Sequence, residues 1–382
     1  MVFAITPLML VAGVLASIAG LLTMYLWRQS RQDAMPSLSE PNGATPETPA
    51  ATASKPPRAI PVRSTTAQPD EDVSAADSEE DQSALGIDAM LSQLEAERSY
   101  DSERLKQVRR YLREVTEQYK LPPFPTVVTT ALRLVRNENI DLRQIGRVLS
   151  NDASLAGRIL SLSRSPIFAL RKQPRTLQEA ISVLGLRALE RTLVAAGAQS
   201  LYAGRSKAAQ TAWSHSLATA LASQFLARRI GIRDVDQAFL AGLLHDVGQM
   251  VILHGDKERF GSMWVDARLQ KKSAIVWEQD WYHLDHTWIG ASVLYRWGLE
   301  TEPILAVLRH HEVSPTADPT SLNSVVQMAN FLADQIGLGF LSAPDLPAPH
   351  LFESYGCDTE ERLQEVSEAL LQMFKKEKSL FS

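Results

Sequence analysis

The chain has 382 residues with 45% apolar side chains, a formal net charge of −5 and one cysteine, Cys357. This length and composition allow a substantial core in one large domain or two small ones. The charge balance excludes nucleic-acid binding through bulk positive charge, and the single cysteine excludes an internal disulfide and a cysteine-built zinc site.

The first predicted element is a membrane-spanning helix. Residues 2–27 contain no charged side chain, and as a helix they would extend about 40 Å, enough to cross a hydrocarbon core of about 30 Å. Aromatic residues end the run and two arginines follow, which places that side in the cytoplasm. A cleaved signal peptide is the alternative, but it favours a shorter run preceded by positive charge. We therefore expect residues 1–30 to form a single-pass anchor in the inner membrane, with the following domain in the cytoplasm.

The next segment, residues 31–86, is predicted to be a disordered linker. Residues 33–82 hold eight of the twenty prolines, with ten acidic side chains against three basic ones. Such a composition cannot bury enough apolar surface to offset the entropy lost on ordering.

Residues 87–120 predict one amphipathic helix before the main domain. Its apolar positions recur at steps of three and four residues; they include Leu91, Leu94, Leu105, Val108, Leu112 and Val115. This face can pack on the following domain or pair with a second copy, which leaves a homodimer open.

From Leu121 to about Lys378 the spacing is helical and strand-like alternation is scarce, which predicts an all-α, multi-helix bundle. Gly185 divides residues 176–201 into two helices, and Thr176 with Glu179 forms a capping box at the start of the first. The other predicted helical segments are 126–137, 141–152, 153–165, 208–230, 235–255, 285–298, 302–312 and 321–337.

Several of these predicted helices carry histidines that could meet in the bundle. The candidate residues are His215 within one helix, His245 and Asp246 at the end of the next, His286 at the start of a later one, and His310 with His311 at the end of another. Helical bundles build metal sites from inward-facing ligands on several helices, and imidazoles with a carboxylate suit Zn, Fe or Mn. A metal-bound hydroxide at such a site would serve phosphoester hydrolysis. A buried hydrogen-bond network without metal is the alternative.

These residues lie within a series of recognisable motifs. The motifs are "LPPFPTVVTTALRLV" (121–135), "IGRVLSNDASLAGRILSLSRSPIF" (145–168), "LQEAISVLGLRAL" (177–189), "WSHSLATA", "GLLHDVGQ", "HTWIGASVLYRWGL" and "HHE". Their order resembles the HD superfamily of metal phosphohydrolases and, more closely, the HDOD domain, an HD-related output domain of bacterial signalling proteins. The resemblance implies an HD-like bundle over 121–340, followed by an extension over 341–382 with a terminal helix. It also implies metal ligands at His215, His245, Asp246, His286 and His310.

The chain departs from the catalytic members of that superfamily at three places. Catalytic HD domains complete their ligand set with a late aspartate, where this chain has Asn330, and an amide binds a hard cation more weakly. The HD-GYP phosphodiesterases carry a lysine where Gln249 stands, and their Gly-Tyr-Pro loop is absent from "HHEVSPTADPTS". Gln249, His311 and Asn330 are therefore assigned to the pocket rather than to the ligand set.

Together these features predict a membrane-anchored regulatory protein whose HDOD domain binds a protein partner and is non-catalytic, with no nucleic-acid partner. The alternative is a metal-dependent phosphohydrolase or phosphodiesterase acting on a nucleotide. The histidine cluster itself is open among three interpretations: a metal-free network, a bound metal without turnover, and an active hydrolase.

Overall fold

The described part of the chain is entirely helical, which confirms the predicted all-α class. The computed structural model describes residues 87–97, 100–119, 124–137, 141–164, 173–202, 206–270, 273–340 and 346–378. The predicted anchor (1–30) and linker (31–86) lie outside the described residues. The helices are α1 (87–96), α2 (Ser102–Gln118), α3 (Thr126–Val135), α4 (Leu142–Leu149), α5 (Ala153–Ser163), α6 (Leu177–Leu184), α7 (Leu186–Leu201), α8 (Lys207–Arg229), α9 (Val235–Leu244), α10 (Val247–Gly255), α11 (Lys257–Gln270), α12 (Ala274–Tyr282), α13 (His286–Arg296), α14 (Thr301–Arg309), α15 (Leu322–Gln335), α16 (Pro349–Ser354) and α17 (Glu360–Glu377).

Polar capping side chains set where many of these helices begin. Asp152 accepts a hydrogen bond from the Leu155 backbone N–H, so α5 begins at Ala153. Proline is common at this first helical position in other proteins. At α6 the Thr176 hydroxyl accepts from the Glu179 N–H at 3.1 Å, as the capping box predicts. The Glu179 carboxylate, however, accepts from the N–H of Arg175 at 2.7 Å, one residue before the cap.

The centre of the bundle is α8, a helix of 23 residues whose inner positions are mostly Ala, Ser and Thr. It packs against α9, α15 and α17. Small side chains allow close approach: a Cβ added at Gly242 of α9 would lie only 2.7 Å from the Thr219 carbonyl oxygen of α8. This close crossing brings the middle of α8 next to the C-terminal end of α9.

A second close crossing joins α10 to α13. A Cβ at Gly248 would lie 2.8 Å from the backbone nitrogen of Gly290 and closer still to the carbonyl oxygen of His286. Glycine is therefore required here for backbone contact rather than for a special backbone conformation. The contact presses the N-terminal end of α13 against the start of α10.

The predicted helix over 235–255 is two helices, α9 and α10, separated by His245 and Asp246. Among the described residues, this is the one stretch long and apolar enough to cross a membrane, but 83% of its most apolar window is buried inside the bundle. Its apolar character is therefore explained by its place in the core.

The segment before the main bundle is also divided, into α1 and α2. Asp101 accepts hydrogen bonds from the backbone N–H groups of Glu103 and Arg104 and starts a new helix. The apolar faces of both helices, including Leu91 and Leu112, are buried within the same chain. Tyr100, between the helices, donates a hydrogen bond to Glu312 at 2.7 Å. The face that could have paired with a second copy is thus covered by the protein's own domain.

We expect Gly248→Ala to destabilise the protein by about 3 kcal/mol or more, because backbone atoms of α13 have no room for a methyl group. Gly261→Ala in α11 is the matched control, since nothing lies within 4 Å of its added Cβ, and alanine stabilises a helix interior by up to about 1 kcal/mol. Urea unfolding of both variants measures the difference. Equal stability of the two variants would contradict the close crossing.

Candidate metal centre

The predicted ligand residues converge at the centre of the bundle, and all except His215 lie at helix ends. His215 is in the middle of α8, His245 ends α9, and Asp246 directly precedes α10. His286 is the first residue of α13, and His310 ends α14. The helix break after Leu244 lets neighbouring side chains approach one point, which a continuous helix would not allow.

The two carboxylate oxygens of Asp246 each face a different group of imidazoles. Oδ2 lies 3.5 Å from Nε2 of His215 and 3.4 Å from Nε2 of His245, and these two nitrogens are 3.1 Å apart. We call the imidazoles of His215 and His245, together with Oδ2 of Asp246, the His215 half-site.

Oδ1 of Asp246 faces the second group. It lies 3.2 Å from Nε2 of His286 and 3.7 Å from Nε2 of His310. The Nε2 atom of His286 is 3.4 Å from that of His310 and 3.2 Å from that of His311. We call these residues, with Oδ1, the His286 half-site. His311, predicted as a pocket residue, thus supplies a fourth donor atom to this group.

The ring orientations are set by acceptors on the opposite nitrogen. Nδ1 of His215 donates to the Leu338 carbonyl at 2.9 Å, Nδ1 of His245 to the Gly242 carbonyl at 2.8 Å, and Nδ1 of His310 to the Val307 carbonyl at 2.7 Å. A carbonyl only accepts, so each Nδ1 carries the proton. In the neutral rings, the Nε2 lone pairs therefore point towards Asp246.

This arrangement fits metal ions. Ligand atoms bound at about 2.0–2.1 Å to one ion are about 2.8–3.0 Å apart at octahedral angles and about 3.3–3.4 Å apart at tetrahedral angles. The observed separations of 3.1 to 3.7 Å are close to that spacing. Facing lone pairs repel each other unless positive charge lies between them. The donor set of imidazoles around one bridging carboxylate suits Zn, Fe or Mn.

Burial and neighbouring charges set the protonation of the cluster. Burial lowers the pKa of His245 to about 4 although Asp246 opposes the shift, and burial with the surrounding imidazoles lowers the pKa of His310 well below its usual value. Burial would raise the pKa of Asp246, but the imidazoles of His245, His215 and His286 hold it well below its usual value. At neutral pH the imidazoles of His245 and His310 are therefore neutral and able to bind a metal, while the carboxylate of Asp246 is ionised.

His286 differs from the other rings because its second partner is a carboxylate. Burial would lower the pKa of His286, but the charge of Glu278, together with hydrogen bonds to Asp246 and Glu278 and the charge of Asp246, raises it well above its usual value. Glu278 accepts from His286 Nδ1 at 2.6 Å and was not predicted from the sequence. The signal available was an acidic residue directly after the apolar run "AIVW" in the helix "AIVWEQDWY".

The other two predicted pocket residues, Gln249 and Asn330, are both buried, and Gln249 lies next to His286. The Gln249 side-chain nitrogen lies 3.5 Å from His286 Nδ1, at the limit of a hydrogen bond. Asn330 is buried in α15 and forms no hydrogen bond with the cluster among the described residues. The late ligand position expected from the resemblance is therefore not occupied by a carboxylate.

Comparisons with known proteins agree with this architecture. The family model described as HDOD domain matches residues 121–313. An uncharacterized protein from Treponema pallidum (strain Nichols) is 25% identical over 213 residues, 55% of this chain and 41% of that protein. The chain thus spans less than half the length of this relative.

Solved structures show the same fold. An HDOD domain protein with unknown function from Geobacter sulfurreducens has a TM-score of 0.56 at 20% identity, covering 71% of this chain and 95% of that chain. A candidate phosphohydrolase from Shewanella amazonensis SB2B has 0.53 at 22%, covering 71% and 96%. A candidate signal transduction protein from Marinobacter aquaeolei VT8 has 0.55 at 20%, covering 72% and 65%. At these identities the similarity establishes the fold alone.

We expect two metal-binding steps that single substitutions separate. His215→Ala should weaken metal binding in one step and His310→Ala in the other, each by more than about 100-fold. Loss of a residue that only supports a ligand already lowers metal affinity by about 10–100-fold, and these two residues are candidate ligands themselves. Asp246→Asn should weaken both, since its oxygens face both half-sites. Calorimetric titration of chelator-treated protein with Co²⁺ measures the steps. His254→Ala removes an exposed imidazole and should leave both unchanged; the two-site arrangement is wrong if His215→Ala and His310→Ala affect the same step.

Proposed function

Because this chain belongs to the HDOD domain family, we propose that it is a signal-transduction protein in which a buried metal centre stabilises the helical domain that binds a protein partner. The domain acts as a regulatory module and not as an enzyme. The solved structures that share its fold include one named for signal transduction and one named as a candidate phosphohydrolase.

The observation that carries the proposal is the closure of the cluster. The side chains of His215, His245, His286 and His310 are at most 4% exposed, and that of Asp246 is 9% exposed. Catalytic metal sites keep an open coordination position for water or substrate, whereas closed sites stabilise the fold. Of the candidate donor residues, His311 alone is partly rather than fully buried.

The charge of the cluster supports the same conclusion. Among the described residues, Asp246 is the one carboxylate whose oxygens face the Nε2 atoms of the cluster, because the amide of Asn330 stands where catalytic relatives are expected to have a second. Gln249 likewise adds no positive charge that would attract a phosphate. The chain thus retains the donors needed to bind a metal while lacking the groups that would bind and activate a phosphoester.

A metal-dependent phosphohydrolase is the second candidate, favoured by the carboxylate that lies between two donor groups. Two metal ions a few ångströms apart are the arrangement that phosphoester hydrolases use to stabilise attacking and leaving oxygens. The bridging position of Asp246 is compatible with such a pair.

A turnover assay separates the two candidates. We expect protein reloaded with Mn²⁺ to hydrolyse nucleotides and cyclic dinucleotides no faster than Asp246→Asn, because the closed cluster admits no phosphate. His254→Ala controls for the effects of substitution itself. A rate at least 100 times that of Asp246→Asn would establish the hydrolase and refute the regulatory assignment.

We propose further that residues 2–27 anchor the domain to the inner membrane, as their uncharged length predicts. The acidic linker would let the domain reach a partner some distance from the membrane, since a flexible chain spans about 5–6 Å times the square root of its length.

Cell fractionation tests the anchor. The full chain should sediment with membranes and resist extraction by salt, because an apolar helix is held by burial rather than by charge. Removal of residues 2–27 should move the protein to the soluble fraction, while removal of residues 41–66, an equal length of linker, should not. Full-length protein in the soluble fraction would rule out the anchor.

A further inference from the structure

Glu278 occupies an unusual position behind the cluster. Its side chain is completely buried in α12, and its Oε2 atom lies 2.6 Å from Nδ1 of His286 and 2.9 Å from the backbone nitrogen of His286. Both nitrogens donate to the same carboxylate oxygen. One side chain therefore holds both the first backbone N–H of α13 and the rotation of the His286 ring.

His286 is the one imidazole among the four directly facing Asp246 whose Nδ1 donates to a charged acceptor. The corresponding atoms of His215, His245 and His310 donate to the backbone carbonyls of Leu338, Gly242 and Val307. Hydrogen bonds to an ionised acceptor are roughly twice as strong as neutral ones. They also raise the basicity of the opposite ring nitrogen towards a metal.

The pair is costly as a purely structural contact. The second oxygen of Glu278, Oε1, is buried without a hydrogen-bond partner among the described residues. A buried ion pair is often no more stabilising than a well-packed apolar pair, because desolvation offsets the attraction. A cation at Nε2 of His286 would place a positive charge on the far side of the ring and compensate the buried carboxylate.

We propose that Glu278 is a positioning residue that makes the His286 half-site the tighter of the two metal sites. It acts through His286 and does not touch the metal. The His286 half-site also has one donor more than the His215 half-site, three imidazoles against two. This inference rests on the proposed metal binding and assigns the order in which the two half-sites fill.

The experiment titrates chelator-treated full-length protein with Co²⁺ and follows calorimetry together with the visible absorption of the bound ion. Glu278→Gln keeps the size of the side chain and an acceptor for the His286 backbone N–H but removes the charge. We expect it to weaken the tighter step by 10–100-fold and to leave the weaker step within about threefold. Asp280→Asn removes the same charge from an exposed position of α12 and should change neither step.

The outcomes are distinguishable. If the wild-type chain binds no Co²⁺, the proposed metal centre itself is wrong. If the wild type shows two steps and Glu278→Gln shows the same two, the metal centre stands and the role of Glu278 is refuted. Equal weakening of both steps, with a lowered melting temperature of the metal-free protein, would show a structural role and also refute it.

A second variant covers the case in which Glu278→Gln does not fold. Glu278→Asp keeps the charge but shortens the side chain, so that the carboxylate no longer reaches Nδ1. It should weaken the tighter step selectively, and an unchanged tighter step would contradict the positioning role.

Discussion

The carboxylate of Asp246 lies between two groups of imidazoles, and the centre of the bundle is arranged around it. A buried negative charge is stable only when positive or donating groups surround it. Here those groups come from α8, α9, α13 and α14, which are distant in sequence. The close crossings at Gly242 and Gly248 bring these helices near enough for the ring nitrogens to reach both oxygens. Folding and the geometry of the candidate metal centre therefore depend on the same contacts.

The sequence predicted the all-α fold and the helices that carry each histidine, because periodicity and capping are local properties. It did not predict the break between α1 and α2, since Asp101 looks like an ordinary solvent-facing residue of a longer helix. The contact between Glu278 and His286 could not be predicted, because it depends on the left-handed turn at His283 (φ 58°) between α12 and α13. The hydrogen bond from His215 to the Leu338 carbonyl could not be predicted either, since a backbone acceptor 123 residues away is not marked by any residue type.

The segment before the bundle is part of the same folded unit. Tyr100 donates to Glu312, directly after His311, and its ring packs on Trp288 at 5.0 Å, two residues after His286. Both elements that carry the His286 half-site thus contact one side chain of the preceding segment. The segment before the bundle and the candidate metal centre therefore share contacts through Tyr100.

The hydrogen bond from His215 to Leu338 has a consequence for where the working domain ends. The family match stops at residue 313, whereas Leu338 and the whole of α15 lie beyond it. A fragment cut at that limit would expose the buried face of α8 and free the His215 ring to rotate or change tautomer. The minimal unit able to organise this centre therefore extends at least to Leu338, and any shorter version would report on a different, incomplete molecule.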